Sequence, residues 1–435
     1  MTDGAQEWRV ADYLIERIHQ DGVDTVFGVT GGGMMYLIDA VAVHADVSLV
    51  STHHEEFAGV AADGYARSGR RYGVAFGTTG PGAAHLFTAV AAAYQDSSPV
   101  VFVAGQVKSS DSSTINGIAI RQNGTFEFDT TRAFAPISKH VALITSAEAA
   151  PRMIDEAIRI AISGRPGPVV LEVPLDVQGT LIPRTLPAPT SPIAFPPGAA
   201  QEAKDLLTAA LERSTKAPVL LGIGAVRSGA FEPLRAVLAA RGIPFVSTQF
   251  AREIGRREDP LYLGSPGIKS NRSANLAVTE CDLLIAIGTS LHQQVTGWEA
   301  EKFIETPSFK IWLEVDPNVL AARRHLVDEA VHLDSAQAAE TLMLALDDAE
   351  LPDIDAWRDT AAGWRERHLL HYPPHVEVDG RDCLYRGVSA LDEFSNRFQV
   401  AATDAGLIWD ALAQHFMVRD GGHYVSSGCL GAMGM

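Results

Sequence analysis

The stretch VSLVSTHHEEFAGVAADGYARSGRRYGVAFGTTGPGAAH, residues 47–85, carries the reading that decides the fold. VSLVSTH is a β-rich run that stops at a pair of histidines. EEFAGVAADGYARSG then reads as a helix with an alanine-rich face, and YGVAFG as a strand that runs into the turn TTGPG. The same alternation extends outward in both directions. Upstream, EWRVADYLIERIHQDG places Trp8, Val10, Leu14, Ile15 and Ile18 at helical spacing, with Gly22 as a stop. VDTVFGVT is a strand ending in TGGG (30–33), and MMYLIDAVAVH is helical. Downstream, AAHLFTAVAAAYQD is a helix and PVVFVAGQV a buried strand. Such alternation predicts an α/β chain with open parallel sheets and helices on both faces. Ligands of these sheets sit beyond the carboxyl ends of the strands. Four such ends carry TGGG, THHEE, GTTGPG and AGQV.

Composition bounds the rest. The chain has 435 residues, 46% of them hydrophobic and 20% charged, with a net charge of −18. That charge argues against nucleic acid and against an anionic membrane as partners. Cys281, Cys383 and Cys429 are three, widely spaced, and form no CxxC pair. They fit a reducing, cytoplasmic setting better than a disulfide framework. The N-terminus is polar, so no signal peptide is expected, and no run approaches a membrane span.

The first domain is expected over 1–182, closing with the buried strand in GPVVLEVPLDV (167–177). A proline-rich linker follows at 183–200, then a second α/β domain over 201–345 built on APVLLGIGAVRSG, GIPFVSTQ, CDLLIAIGTS and KIWLEVDPN. A connector at 346–385 leads to FQVAATDAG, LIWDALAQHFMV and HYVSSGCLGAMGM. This last part, 386–435, holds a strand, a helix and a strand, so a third domain is begun and left incomplete.

Taken singly, the strand-end signals are modest. Glu55 and Glu56 at a helix start suit the helix dipole, and Asp63 with Arg67 make a helical pair. The spacing of His53 and His54 is wrong for metal ligands sharing one helical face. GIG (222–224) lacks the third glycine of a dinucleotide fingerprint. RQNGTFEFDTTRAF (121–134) is a surface loop or a substrate-facing one.

In order and spacing, VFGVTGGG, HHEEFAGVAADGYAR, TTGPGAAH, SPVVFVAGQV, RQNGTFEFDTTRAFAPISKH and SGRPGPVVLEVPLDV resemble the thiamine-diphosphate enzymes, and among them the acetolactate synthase large subunit. LLIAIGTSLHQQVTG, WLEVDPN and SSGCLGAMG resemble the central and C-terminal domains of that family. The resemblance implies that the first domain binds the aminopyrimidine ring and that Glu55 is the activating carboxylate. A carboxylate hydrogen-bonded to that ring helps to remove the proton from the reactive carbon, the cofactor itself being the electron sink. It implies cofactor contacts from Gly31, Gly32, Thr79 and the Gly80–Pro81–Gly82 turn. Gly406, Gly428, Leu430 and Met433 would serve the diphosphate half, Met433 as the wedge that keeps the cofactor bent. His85, standing where the family has asparagine, together with Gln106, Gln122 and Phe126 would line the substrate side. GTSLHQQVTG lacks an arginine of the family pattern, which argues against FAD.

The family's GDGS metal motif does not follow LGAMG, so no residue is assigned as a metal ligand. Mg²⁺ is then expected to be held by a separate small subunit, this chain being the larger part of a split enzyme. Self-association through the first domain would make a heterotetramer. The expected reaction is decarboxylation of a 2-oxo acid such as pyruvate, with transfer of the acyl anion equivalent to a carbonyl acceptor. The alternatives are a plain 2-oxo acid decarboxylase subunit, an inactive fragment, and a non-catalytic binding or assembly relative.

Overall fold

The computed structural model describes residues 7–185, 188–192, 199–306, 308–370, 384–393, 400–418, 422–426 and 428–434. Cys383 and parts of the expected linker and connector lie outside the described residues. The chain divides into two compact units, 1–194 together with 427–435, and 195–426.

The first unit is built on six parallel strands in the order β3-β2-β4-β5-β7-β6. They are β2 Thr25–Gly28, β3 Ser48–Ser51, β4 Gly73–Gly77, β5 Val100–Gln106, β6 His140–Leu143 and β7 Val169–Pro174. Every residue of β4, β5 and β7 is buried, whereas the edge strand β3 is largely exposed. A strand covered on both faces is apolar wherever it has no polar partner, which is why these read as near-continuous hydrophobic runs, broken only by Gln106 and Glu172. Alternate residues feed two separate cores. Val74, Phe76, Val101, Val103 and Leu171 pack on one face with helices α1 (Val10–Gln20), α2 (Met35–Val43) and Ala150–Ile162. Ala75, Phe102 and Val170 pack on the other with α3 (Glu55–Arg67) and α5 (Phe87–Gln95).

The structure departs from the expected first helix at its start. Glu7–Arg9 form β1, paired antiparallel with β8 (Leu181–Pro183), and the helix begins only at Val10. The pairing satisfies backbone groups that a free helix start would leave open. Gly22, with φ +85°, ends α1 as expected. The edge strand β6 carried no distinct signal in the sequence.

The second unit holds a five-stranded parallel sheet, order β10-β9-β11-β12-β13. Its strands are β9 Val219–Leu221, β10 Phe245–Ser247, β11 Leu283–Ile287, β12 Phe309–Glu314 and β13 Glu329–His332. Here too alternate residues face two cores, Ile285 and Leu313 on one side, Leu284 and Trp312 on the other. Strands β14 (Val400–Thr403) and β15 (His423–Ser426) pair parallel around the helix Leu407–His415, as the sequence predicts. The buried Arg252 guanidinium donates to the carbonyls of Ala413 and Phe416, tying this helix to the rest of the unit.

One buried acid stands at the carboxyl end of the first sheet. Glu172 on β7 is 1% exposed, and its Oε1 accepts from Gln106 Nε2 at 2.6 Å. Its other oxygen is buried without a partner among the described atoms. Burial pushes its carboxyl up from 4.5 to about 7, against the opposing pull of the Gln106 amide. The folded protein therefore keeps this proton up to about pH 7, while the unfolded chain loses it near 4.5. Stability from this group is full below that window and falls as pH rises through it, by about 3 kcal/mol in all. Glu172→Gln removes the titration. Its unfolding free energy, measured by denaturant titration from pH 4.5 to 8, is expected to decline less with pH than that of the wild type.

Candidate active site

The four glycine- and acid-bearing strand ends read from the sequence follow β2, β3, β4 and β5, and the sheet order places these strands side by side. Their exits therefore meet along one edge. The turn 31–33 is the tightest point. A Cβ on Gly33 would overlap Thr79 Oγ1, and one on Gly105 would overlap the Gly33 carbonyl, so only glycine permits this approach. Gly33 N–H donates to Thr78 Oγ1 at 3.2 Å. Gly31 is crowded by the Thr78 side chain, whereas Gly32 faces open space.

Glu55 is the first residue of α3, where the helix dipole favours its charge. It is 8% exposed. His54 caps the helix, its Nδ1 accepting from Glu56 N–H at 3.2 Å. The Gly80–Pro81–Gly82 turn lies directly against the acid. Gly80 has φ +66°, Pro81 opens a short helix α4 (Pro81–His85), and a Cβ on Gly82 would stand 3.2 Å from Glu55 Oε1 and 2.6 Å from Thr78 Cγ2. Thr79 Oγ1, in the same turn, is buried with no partner among the described atoms.

His85 closes the group. Its Nδ1 lies 2.9 Å from Glu55 Oε2, and its ring stacks on His54 with centroids 4.4 Å apart. Ligating atoms of His54, Glu55 and His85 all fall within 4.8 Å of one another. The sequence spacing of His53 and His54 says nothing of this, because the second histidine comes from the next crossover.

The substrate-side expectations fare unevenly. Phe126 has φ +65° and is 66% exposed, and its carbonyl sits over Gly80, so the loop does reach the turn. Gln122 lies against the backbone of Phe126 and Glu127, its oxygen placed to accept from both amides at 3.2 and 3.3 Å. Gln106 is 1% exposed and turns inward. Its amide donates to Glu172 and to the Phe128 carbonyl, and its oxygen accepts from Val107 N–H.

Two residues that the sequence reading left without a role prove to organise this edge. Glu127 Oε1 accepts from Ser112 Oγ and from the N–H of Ser113 and Thr114, and Oε2 from the N–H of Asn123 and Gly124. Burial opposes its charge, but these donors outweigh burial and hold its carboxyl below the ordinary range. Glu172 holds Gln106 in the same region. In the sequence Glu127 is an acid set between two phenylalanines, in a loop read only as surface or substrate-facing.

The segment 428–434 is placed elsewhere. Cys429 N–H donates to Asp96 Oδ1 at 3.1 Å, at the C-terminal end of α5. That end lies at the sheet edge opposite Glu55, because α5 runs back from the Gly80–Gly82 turn to the start of β5. Leu430 is partly exposed and Met433 86% exposed. Gly406, φ +101°, belongs to the second unit, at the start of the helix Leu407–His415. Within one chain the structure thus gathers Gly31, Thr79, Gly80, Gly82, His85 and Phe126 around Glu55, and leaves Met433 apart.

Comparison with known proteins identifies the family. Residues 8–132 match the thiamine pyrophosphate enzyme N-terminal TPP binding domain, and residues 205–342 the thiamine pyrophosphate enzyme central domain. The chain is 31% identical to a probable acetolactate synthase large subunit of Methanocaldococcus jannaschii, covering 98% of this chain and 71% of the relative. It is 32% identical to the acetolactate synthase isozyme 2 large subunit of Escherichia coli, covering 98% and 73%. These matches span both sheets and almost the whole sequence, and they establish that the chain belongs to the thiamine pyrophosphate enzymes, with acetolactate synthase large subunits among its relatives.

Proposed function

We propose that this chain is the larger subunit of a split enzyme that decarboxylates a 2-oxo acid, pyruvate first among candidates, and transfers the acyl unit to a carbonyl acceptor. The observation that carries the reading is the buried Glu55 carboxylate at a helix N-terminus, facing the Gly80–Pro81–Gly82 turn. Thiamine diphosphate, when bound, supplies the electron sink for loss of CO₂. The residues present fit its aminopyrimidine end. The turn stands against Glu55, and the unpartnered Thr79 hydroxyl beside it is a polar group in need of a partner. Glu55 is placed to hold a proton at Oε1, the oxygen nearest Gly82. The apolar cover on both faces of the sheet keeps water from reaching the acid from below.

Magnesium requires hard oxygen donors. Among the described residues, the one cluster of three ligating side chains pairs two imidazoles with Glu55, a set suited to softer cations. In this reading the Mg²⁺ ligands come from a separate small subunit. The names of the relatives, as large subunits, support association with a smaller subunit. The exposed side chains of Phe57, Phe87 and Tyr94 on α3 and α5 support self-association through the first domain. Sites formed between copies would also account for Met433 lying away from Glu55 in one chain. A cytoplasmic setting follows from the same reading; no described helix is long and apolar enough to cross a membrane.

Glu55→Gln in the complex reconstituted with thiamine diphosphate and Mg²⁺ is expected to lose roughly 100-fold or more in kcat on pyruvate. Full activity of that variant overturns the role of Glu55, and product analysis separates ligation from aldehyde release. Turnover of pyruvate by this chain alone overturns the partner-held metal. Mixing the Glu55→Gln chain with a Met433→Asp chain is expected to restore activity above either variant, since a mixed dimer carries one intact site. No recovery after subunit exchange excludes sites shared between copies.

A further inference from the structure

Glu55 offers two oxygens in different surroundings. Oε1 lies on the side of Gly82, while Oε2 is engaged by His85 Nδ1 at 2.9 Å. A carboxylate only accepts, so this contact puts the His85 proton on Nδ1. His54 is fixed in the opposite sense. Its Nδ1 accepts from the Glu56 amide, which leaves its proton on Nε2. The two rings stack, 27° apart in plane, and Phe57 packs edge-on against His54 with centroids 6.0 Å apart. The His54 carbonyl is itself held by Thr52 Oγ1 at 2.8 Å. His85 is thus set by a helix cap through stacking, although its own side chain is 45% exposed.

We infer that His85 is a positioning residue for Glu55: its Nδ1–H holds Oε2, so that the carboxylate presents Oε1 toward the Gly80–Gly82 turn. This inference rests on the reading of Glu55 as the activating acid, and it replaces the sequence expectation that His85 serves the substrate. An unheld carboxylate swings about its last torsion, which is broad and soft. A hydrogen bond to one oxygen removes that freedom at the cost of one oriented ring, and here the stack on His54 supplies the orientation. The arrangement needs a donor of the right reach at residue 85. Asparagine, whose amide nitrogen falls close to where histidine carries Nδ1, meets that need; alanine does not.

The first test is free of turnover. In the full chain without cofactor, selectively ¹⁵N-labelled histidine is read for its tautomer by long-range ¹H–¹⁵N correlation. His85 is expected as the Nδ1–H form in the wild type and to move toward Nε2–H in Glu55→Ala. An Nε2–H form in the wild type, or no change in Glu55→Ala, overturns the inference. The second test uses the reconstituted complex on pyruvate. His85→Ala is expected to lower kcat by about 10- to 100-fold, the range set by misplacing a reacting group, with KM little changed. His85→Asn is expected to recover most of the loss. A raised KM with kcat intact means that His85 contacts substrate, and overturns the inference. The two readings fail differently. A Glu55→Gln enzyme with full turnover overturns the role of Glu55 and this inference with it, whereas an inactive Glu55→Gln beside a wild-type-like His85→Ala overturns the inference alone. The thermal midpoint of each variant, expected within a few degrees of the wild type, separates misfolding from misplacement.

Discussion

The backbone of Gly33 is wedged between the exits of two neighbouring strands, Thr79 beyond β4 on one side and Gly105 near the end of β5 on the other. No side chain fits at either contact, and the Gly33 amide is spent on Thr78 Oγ1. The rest of the site depends on this close approach. It brings the turn after β2 against the turn after β4, and so fixes where Gly80, Pro81 and Gly82 stand relative to the first turn of α3. A sheet with larger residues here would have to splay its strand ends, and Glu55 would face open solvent instead of a turn. The constraint is steric, and it costs backbone entropy at each glycine.

Around that wedge, three carboxyl groups are held by three different means. Glu127 is buried and kept ionised by donors from both sides of its loop, so its charge organises residues 112–127 into one piece. Glu172 is buried with one amide donor and is kept protonated to about 7. The difference lies in the count of donors set against burial. Glu55 takes a third course, sited at a helix start with a histidine on one oxygen and the other left toward Gly82. A carboxylate with one oxygen engaged and one available suits proton exchange, whereas the five-donor cage of Glu127 suits permanence.

The fold was largely legible in the sequence. Buried parallel strands have to be apolar wherever no partner meets a polar group, and GVAFG, VVFVAGQ and VVLEVP are apolar but for Gln106 and Glu172, which bond each other. The misreading at residues 7–9 has a physical cause: three residues are too few to show a period, and their strand exists only because Leu181–Pro183 returns beside them. Gln106, expected on the substrate side, turns inward for a related reason. Position at a strand end says that a side chain is near the ligand edge, but not which way it turns, and an acid two strands along in the sequence claimed its amide.

What the sequence by itself determined was local and repetitive: the strand–helix alternation, the glycine turns, an acid at the start of α3, and hence the thiamine pyrophosphate enzyme family. Only the tertiary structure decided which of these meet. His85 is thirty residues from Glu55 along the chain, and no spacing rule links a helix start to the end of the short helix after the next strand. The strand order β3-β2-β4 places the two crossovers that carry them on exits either side of β2, and the glycine wedge after β2 closes the distance to a hydrogen bond. Side-chain pairing of this kind depends on sheet order and on close approach in three dimensions, and neither is written in any one stretch of residues.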